Sequence, residues 1–352
     1  MKRIISLLLL VCVFLSLTAC KRDEYKTRSR TLEGEYFDTM TIISTYADES
    51  DENIEKYVKI ANEVLGYYHK LFDIYNDYEG INNIKTINDC AGVKPVKVDT
   101  ELIDFLEYCK ELYTITNGKT NVMLGSVLSI WHDLREEADK GYGYLDPDRL
   151  PSEEQLVEAA AHTSIDSLVI DREASTVYIS DPSASLDVGA VAKGYTVDIL
   201  AERIKNAGAD SVIVNVGGNI RTIGVKPDGS KWESGIRNPD LSSDETLKCR
   251  IRIGDASIVT SGDYERFFTT GSEDYHHIID PDTLMPARYF SSVSVITESS
   301  ALGDALSTAL FCMSYEDGQA LVKKIGGVEV IWVDTEYNLM HTDGIEISDI
   351  KE

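Results

Sequence analysis

From Asn53 to Phe72, Ile54, Val58, Ala61, Leu65, Tyr68 and Phe72 recur at helical spacing and predict an amphipathic helix. Asp99 stands where a helix cap belongs, ahead of a second helix with Leu102, Ile103, Leu106, Cys109 and Tyr113 on one face. After Pro151, Ser152-Glu153-Glu154-Gln155 has the form of a capping box opening a third. An amphipathic helix runs from Gly194 to Ala207 and stops at Gly208, and another covers Leu302 to Met313. Strand patterns appear at Phe37 to Tyr46, Leu168 to Ile170, Thr176 to Ser180, Ser211 to Val216, Lys248 to Ile253, Ser292 to Ile296, Val328 to Val333 and Asn338 to His341. Pro227-Asp228-Gly229 reads as a hairpin turn. Hairpins mix with helices without regular strand–helix alternation. The expected class is therefore α+β, with mixed, largely antiparallel sheets and packed helices.

The amino terminus departs from these patterns. Lys2 and Arg3 precede a short apolar run, Ile4 to Leu17, and then Leu17-Thr18-Ala19-Cys20. The run is short for a membrane span; the small residues before the cut suit a plain secretory signal, and a cysteine directly after Leu-Thr-Ala favours a lipoprotein cleavage box. The expected organisation is a signal peptide over 1–19, a lipid on Cys20, a polar tether over 20–35, one domain over 36–346 and a tail over 347–352. The mature chain is then expected at the cell membrane, lipid-anchored on the extracytoplasmic face.

Charge narrows the partners. A net charge of −26 argues against nucleic acid and against basic-patch attachment to anionic lipid. It also means that any phosphate ligand needs a metal, a lysine or backbone N–H groups supplied locally. Cys90, Cys109, Cys249 and Cys312 show no C-x-x-C pairing, and no histidine has zinc-finger spacing, so a zinc site is not expected. Cys109 and Cys312 fall within apolar helical patterns and read as core.

Four stretches carry candidate chemistry. In Leu186-Asp187-Val188-Gly189-Ala190-Val191-Ala192-Lys193-Gly194, small residues precede a helix, with an acid at one end and a lysine at the other. Free N–H groups at a helix start, close backbone approach and Lys193 suit a phosphate, although the Walker spacing is absent and a tight strand-to-helix turn fits equally. Asn215-Val216-Gly217-Gly218-Asn219 follows an apolar strand and reads as a ligand-approach site or a turn. Thr260 to Arg266 precedes Tyr275-His276-His277-Ile278-Ile279-Asp280-Pro281; adjacent histidines in a strand point to opposite faces. Asp304 and Thr308, four apart, are neighbours on a helix, where a carboxylate and a hydroxyl suit a hard cation or, for Asp304, a helix-start position.

These stretches, in this order, resemble the ApbE family of FAD:protein FMN transferases. Its Asp-Leu-Gly-Gly/Ala-Ile-Ala-Lys-Gly block corresponds to Asp187–Gly194 and its Asn-x-Gly-Gly-Asn block to Asn215–Asn219. Its Thr-Ser-Gly and His-Ile-Ile-Asp-Pro blocks correspond to Thr260–Gly262 and His277–Pro281, and its Ala-Asp-Ala-Leu-Ser-Thr block to Gly303–Thr308. Phe37-Asp38-Thr39 resembles the opening strand, and Val122 to Trp131 the glycine-containing segment before a tryptophan. The resemblance spans about residues 36 to 340. It implies a T-fold-related architecture, FAD as substrate, a magnesium ion held by Asp304, Thr308 and the Ala190 carbonyl, and FAD contacts from Phe37, Asn121, Val122, Met123, Asp187, Lys193, Gly217, Gly218 and Ile278. It implies His277 as a proton-transfer group of near-neutral pKa. Departures from the pattern are Phe37-Asp38 for Met-Gly, Asn121 for an acid, Met123 for a threonine, and Gly303 for an alanine, the last conservative in size.

The implied reaction is attack of a threonine or serine hydroxyl of an acceptor protein on the FMN-side phosphorus of FAD, with AMP leaving. The implied acceptors are proteins of membrane or extracellular electron transport. Two other readings share these features: an FAD pyrophosphatase using water, and a lipoprotein that binds flavin or another solute without chemistry.

Overall fold

The computed structural model describes residues 27–32, 34–46 and 49–350. The expected signal peptide, Cys20 and the first part of the tether lie outside them. In chain order the elements are β1 (Thr27–Thr31), β2 (Thr41–Tyr46), α1 (Asp51–Phe72), α2 (Ile84–Asp89), β3 (Val96–Lys97), α3 (Thr100–Ile115), α4 (Gly125–Lys140) and α5 (Glu153–Ala160). Then come β4 (Leu168–Asp171), β5 (Thr176–Ile179), α6 (Ala192–Asn206), β6 (Ser211–Val216), β7 (Asn219–Gly224), β8 (Trp232–Arg237), β9 (Leu247–Ile253), β10 (Ser257–Gly262), β11 (Phe267–Thr270) and β12 (Glu273–His276). The chain finishes with β13 (Phe290–Thr297), α7 (Ser300–Phe311), α8 (Tyr315–Ile325), β14 (Glu329–Asp334), β15 (Leu339–His341) and β16 (Glu346–Ile350).

Eight strands form one antiparallel sheet in the order β1-β2-β6-β7-β10-β13-β14-β15. Alternation along the strands sends side chains to the two faces of the sheet. On one face, Ile43, Val212, Val214 and Val216 join residues of α1, α3 and α6, while Val293, Val295, Val330 and Trp332 join α7 and α8. On the other, Tyr46, Ile213, Ile258 and Ile331 pack against Trp232, Ile236, Cys249 and Ile251 of the small sheet β16-β9-β8. The class is α+β with antiparallel sheets and packed helices, as expected.

Several expectations need correction. The first strand does not start at Phe37. Phe37 and Asp38 have φ of 55° and 54°, so the chain turns there and β2 begins at Thr41. The expected tether contains β1, which pairs with β2, and the expected tail contains most of β16, which pairs with β9; Leu32 and Ile347 also pack against the cores, so both segments belong to the fold. Pro227-Asp228-Gly229 turns the chain tightly, with Gly229 N–H donating to Lys226, but β7 and β8 belong to different sheets and do not pair. Asp99 occupies the cap position of α3 without a side-chain cap bond; its carboxylate accepts from Tyr67 Oη instead. The Ser152/Gln155 capping box forms as read.

Candidate active site

Helices α6 and α7 cap one another. Val191 precedes α6 and offers no side-chain cap. The Gly194 N–H in its first turn donates instead to Asp304 Oδ2 of α7, at 2.8 Å. In return Asp198 of α6 accepts from Ser299 Oγ and from the N–H groups of Ser300 and Ala301 at the start of α7 (2.7, 2.7 and 3.0 Å). A helix start leaves N–H groups without partners, and a carboxylate there also meets the positive end of the dipole. The close approach requires Gly194, where a Cβ would lie 2.3 Å from the Ser300 carbonyl oxygen and 2.7 Å from Asp304 Cβ.

Three blocks meet at Asp304, which is 5% exposed. Lys193 Nζ lies 3.8 Å from Asp304 Oδ1 and donates to Asn219 Oδ1 at 3.2 Å. Asn219 is buried at the start of β7, and its Nδ2 has no hydrogen-bond partner. Burial pushes the Asp304 carboxyl above its usual range, while Lys193 and the Gly194 N–H pull it back. A deposit of positive charge at this carboxylate would relieve that burial cost.

The residues expected to hold magnesium fit a hard cation. Thr308 is half-buried, and its hydroxyl makes no hydrogen bond among the described residues; the Asp304 carbonyl it would ordinarily reach is taken by Ser307 Oγ. The Ala190 carbonyl accepts none either, because Gly194 N–H turns to Asp304. One carboxylate, one hydroxyl and one carbonyl make an all-oxygen donor set. Asp304 is its single charged member: the described residues hold no group of three or more His, Cys, Asp or Glu arranged for a metal.

The segment 119–123 ties the remaining blocks to this centre. Lys119 Nζ pairs with Asp280 Oδ1 at 2.7 Å and Asp282 Oδ2 at 2.8 Å. Burial lowers the pKa of Lys119, but its bonds to the two aspartates more than offset this and raise it. Thr120 Oγ1 donates to the Ala305 carbonyl at 2.7 Å, and the Val122 carbonyl accepts the Asp187 N–H at 2.8 Å. Asn121 is fully engaged: its Oδ1 accepts from Met123 N–H and its Nδ2 donates to Thr163. Val122 and Met123 send their side chains into the main core, which leaves the backbone as the part of this segment a ligand would meet.

Asp187 Oδ1 accepts from Gly189 N–H, and its Oδ2 stands 3.8 Å from His132 Nε2, while His132 Nδ1 meets Tyr75 Oη at 3.3 Å. His132 and the half-exposed Tyr75 were not singled out from sequence; an isolated histidine and tyrosine carry no spacing signal. Gly217 and Gly218, with φ of 54° and 92°, make the two-residue β6–β7 hairpin turn, a backbone both central residues reach only with positive φ. Gly217 also admits Thr39, whose Oγ1 would lie 2.0 Å from an added Cβ. Phe37 is half-buried; its N–H donates to His69 Nδ1, and its ring stands edge-on to His69. At Ile278 both backbone groups are engaged, N–H to His276 Nδ1 and carbonyl from Ala287 N–H, and its side chain is core. An added Cβ at Gly303 would meet Val259 Cγ2 at 3.0 Å, so the glycine fits more tightly packed surroundings than an alanine would.

The adjacent histidines divide their roles. His276 bonds the Ala287 carbonyl through Nε2 and accepts Ile278 N–H at Nδ1, a structural arrangement. His277 Nδ1 is buried with no partner, and its own N–H donates to the Arg266 carbonyl. The expectation of a near-neutral His277 is overturned. Desolvation, then Arg266, His276, Arg135 and Lys193, push its pKa down to about 3.

An antiparallel α+β fold with a buried helix–helix aspartate, a lysine beside it and an unpartnered histidine defines the class; comparison gives the family. A model of the ApbE family matches residues 37–332, and this chain belongs to that family. It is 27% identical over 336 residues to the FAD:protein FMN transferase of Haemophilus influenzae, covering 92% of this chain and 91% of that one. It is 31% identical over 276 residues to that of Treponema pallidum, covering 74% and 73%. Among solved structures, the ApbE protein of Thermotoga maritima superposes with a TM-score of 0.76 at 25% identity, and the flavin transferase ApbE of Vibrio cholerae with 0.72 at 25%; each alignment covers 90% of this chain and 97% of the other.

Proposed function

We propose that this chain transfers the FMN half of FAD to a threonine or serine hydroxyl of another protein. The acceptor oxygen bonds to the FMN-side phosphorus, the bond from that phosphorus to the bridging oxygen breaks, and AMP leaves. The observation that carries the reading is Asp304: a buried carboxylate between two mutually capping helices, beside Lys193 and a hydroxyl and carbonyl free to accept a cation. Magnesium held by Asp304, Thr308 and the Ala190 carbonyl would supply charge neutralisation at the diphosphate. Lys193 adds a fixed cation there, and rigid placement supplies most of the rate. His277 stays neutral at pH 7 and so is able to take the acceptor proton at its unpartnered Nδ1; an incoming anion offsets the cations that depress its basicity.

The test is AMP release read together with in-gel flavin fluorescence of an acceptor fragment. Both signals are expected with FAD and magnesium, both vanish with chelator, and Asp304→Ala lowers the rate by ~100-fold or more. Full activity of Asp304→Ala at limiting magnesium would refute the metal assignment. AMP with only free FMN would turn the reading to hydrolysis.

We also propose that Cys20 carries a lipid that holds the chain at the outer face of the cell membrane, within reach of acceptors in membrane or extracellular electron transport. The support is the Leu17-Thr18-Ala19-Cys20 box. No helix of the described residues is long and apolar enough to cross a membrane. Cys20→Ser should move the protein from the membrane to the soluble fraction on cell fractionation; unchanged membrane association would remove the anchor.

A further inference from the structure

The β6–β7 turn delivers an amide into the cation site. Asn219 is the cross-strand partner of Val216 across Gly217-Gly218, so both side chains leave the same face of the sheet. Val216 joins the core under α1, α3 and α6, and both α6 and α7 pack against β7, which Asn219 opens. Asn219 is 2% exposed, and its Oδ1 accepts from Lys193 Nζ at 3.2 Å. Its side chain also favours the charged form of Asp304, yet Nδ2 makes no hydrogen bond. The spacing between Lys193 and Asp304 is the unexpected feature. An ammonium and a carboxylate in hydrogen-bonded contact ordinarily close to about 2.7–2.9 Å. Lys119 does so, at 2.7 Å from Asp280 and 2.8 Å from Asp282. Lys193 Nζ stops 3.8 Å from Asp304 Oδ1, although its flexible four-carbon stem could follow the attraction. Asp304 Oδ2 accepts the Gly194 N–H, and Oδ1 accepts no hydrogen bond among the described residues.

We infer that Asn219 is a positioning residue: its amide oxygen holds the Lys193 ammonium short of a direct salt bridge, which keeps Asp304 Oδ1 open for a divalent cation. The inference rests on the metal assignment within the transferase reading and extends it by giving the β6–β7 turn a part in cation loading. A lysine seated on Oδ1 would occupy an oxygen the cation needs and would neutralise the one charged donor of the set. Among the described residues, Nζ of Lys193 has only Asn219 and Asp304 as partners, so the amide is what competes with the carboxylate for it. An amide does this without adding a charge to a buried place. An ammonium carries three donors, and with one on Asn219 the others remain for an anionic ligand at the same site. The turn sets the depth of the amide: positive φ at both Gly217 and Gly218 reverses the chain in two residues, directly ahead of Asn219.

The test uses the full chain and Mn²⁺ as the probe, with free Mn²⁺ read by electron paramagnetic resonance, in the absence and presence of AMP. Thermal melts confirm the fold of each variant. Asn219→Ala is expected to raise the Mn²⁺ Kd ~10-fold, because the cation must first displace a charge-assisted bond between Lys193 and Asp304. In a Lys193→Ala background the same change should alter Kd by less than about twofold, since no ammonium is left to hold back. The isosteric Asn219→Asp still takes the Lys193 ammonium and should bind Mn²⁺ at least as tightly as wild type. An unchanged Kd in Asn219→Ala would overturn the inference. So would equal weakening in both backgrounds, which would mean lost packing or a direct contact to the cation. A raised Kd in Asn219→Asp would overturn it too, and that variant keeps the side-chain volume should the alanine fail to fold. A wild type whose Mn²⁺ binding is absent, or survives Asp304→Ala unchanged, would remove the cation assignment and the inference with it. Binding that depends on Asp304 but ignores Asn219 would remove the role of Asn219 alone.

Discussion

At the scale of single residues, His276 and His277 show how environment separates two identical side chains. His276 uses both ring nitrogens inside the fold, and burial pushes its pKa down to about 4. Protonating it would set a donor against the Ile278 N–H. The folded-state value lies below the ordinary histidine value of about 6.5. As pH falls below that value, the unfolded chain gains a proton that the folded chain refuses, so this contribution to stability is lost from pH ~6.5 down through ~4. Denaturant unfolding of wild type and His276→Gln from pH 7 to 4 checks this. The wild type should lose stability faster, by up to ~1.4 kcal/mol per pH unit for one proton; parallel pH dependences would contradict the assignment. Asp263 works in the opposite sense. Burial lifts its carboxyl to about 6, so the folded state takes up its proton first as pH falls, and Asp263 is present in both proteins of the comparison.

At the scale of elements, the reciprocal capping of α6 and α7 is what makes Asp304 both buried and held. The carboxylate that is proposed to bind the metal is the cap of the neighbouring helix, so site geometry and helix packing share one contact. Gly194→Ala tests the coupling. Its methyl would be driven onto the Ser300 backbone, and overpacking of this kind costs ~1–3 kcal/mol. The expected outcome is a lowered Tm together with a loss of transfer at temperatures where the variant is still folded, since the displaced Asp304 is a site residue. A variant with a lowered Tm but wild-type kcat and KM would show that the two helices move without disturbing the site. The segment 119–123 plays a similar linking part, joining Asp280, Ala305 and Asp187 through Lys119, Thr120 and Val122. Removing Lys119 alone would strand Asp280, which is 2% exposed, as a buried unpaired charge.

At the scale of the whole molecule, the eight-stranded sheet is covered on both faces, and its alternating strands feed different cores on the two sides. That arrangement was legible in part. The strand at Ser211 to Val216, the α1 stripe and the Ser152 capping box follow from local rules: period-two or period-3.6 burial and a four-residue cap. The ordered edge strands β1 and β16 were not legible, since polar segments that pair through the backbone leave little apolar signal. The blocks Asp187–Gly194, Asn215–Asn219, Thr260–Pro281 and Gly303–Thr308 were legible as an ordered set, because a family pattern is a property of the linear chain. Sequence by itself therefore determined the α+β class, the family and the residue types at the site. Tertiary structure alone decided that Asp304 caps α6, that Met123 and Val122 serve the core, that Phe37 turns to His69, and that His277 is weakly basic. The physical reason is the same in each case: burial, hydrogen-bond partners and charge neighbours are set by residues distant in the chain, and no local spacing encodes which of them will meet.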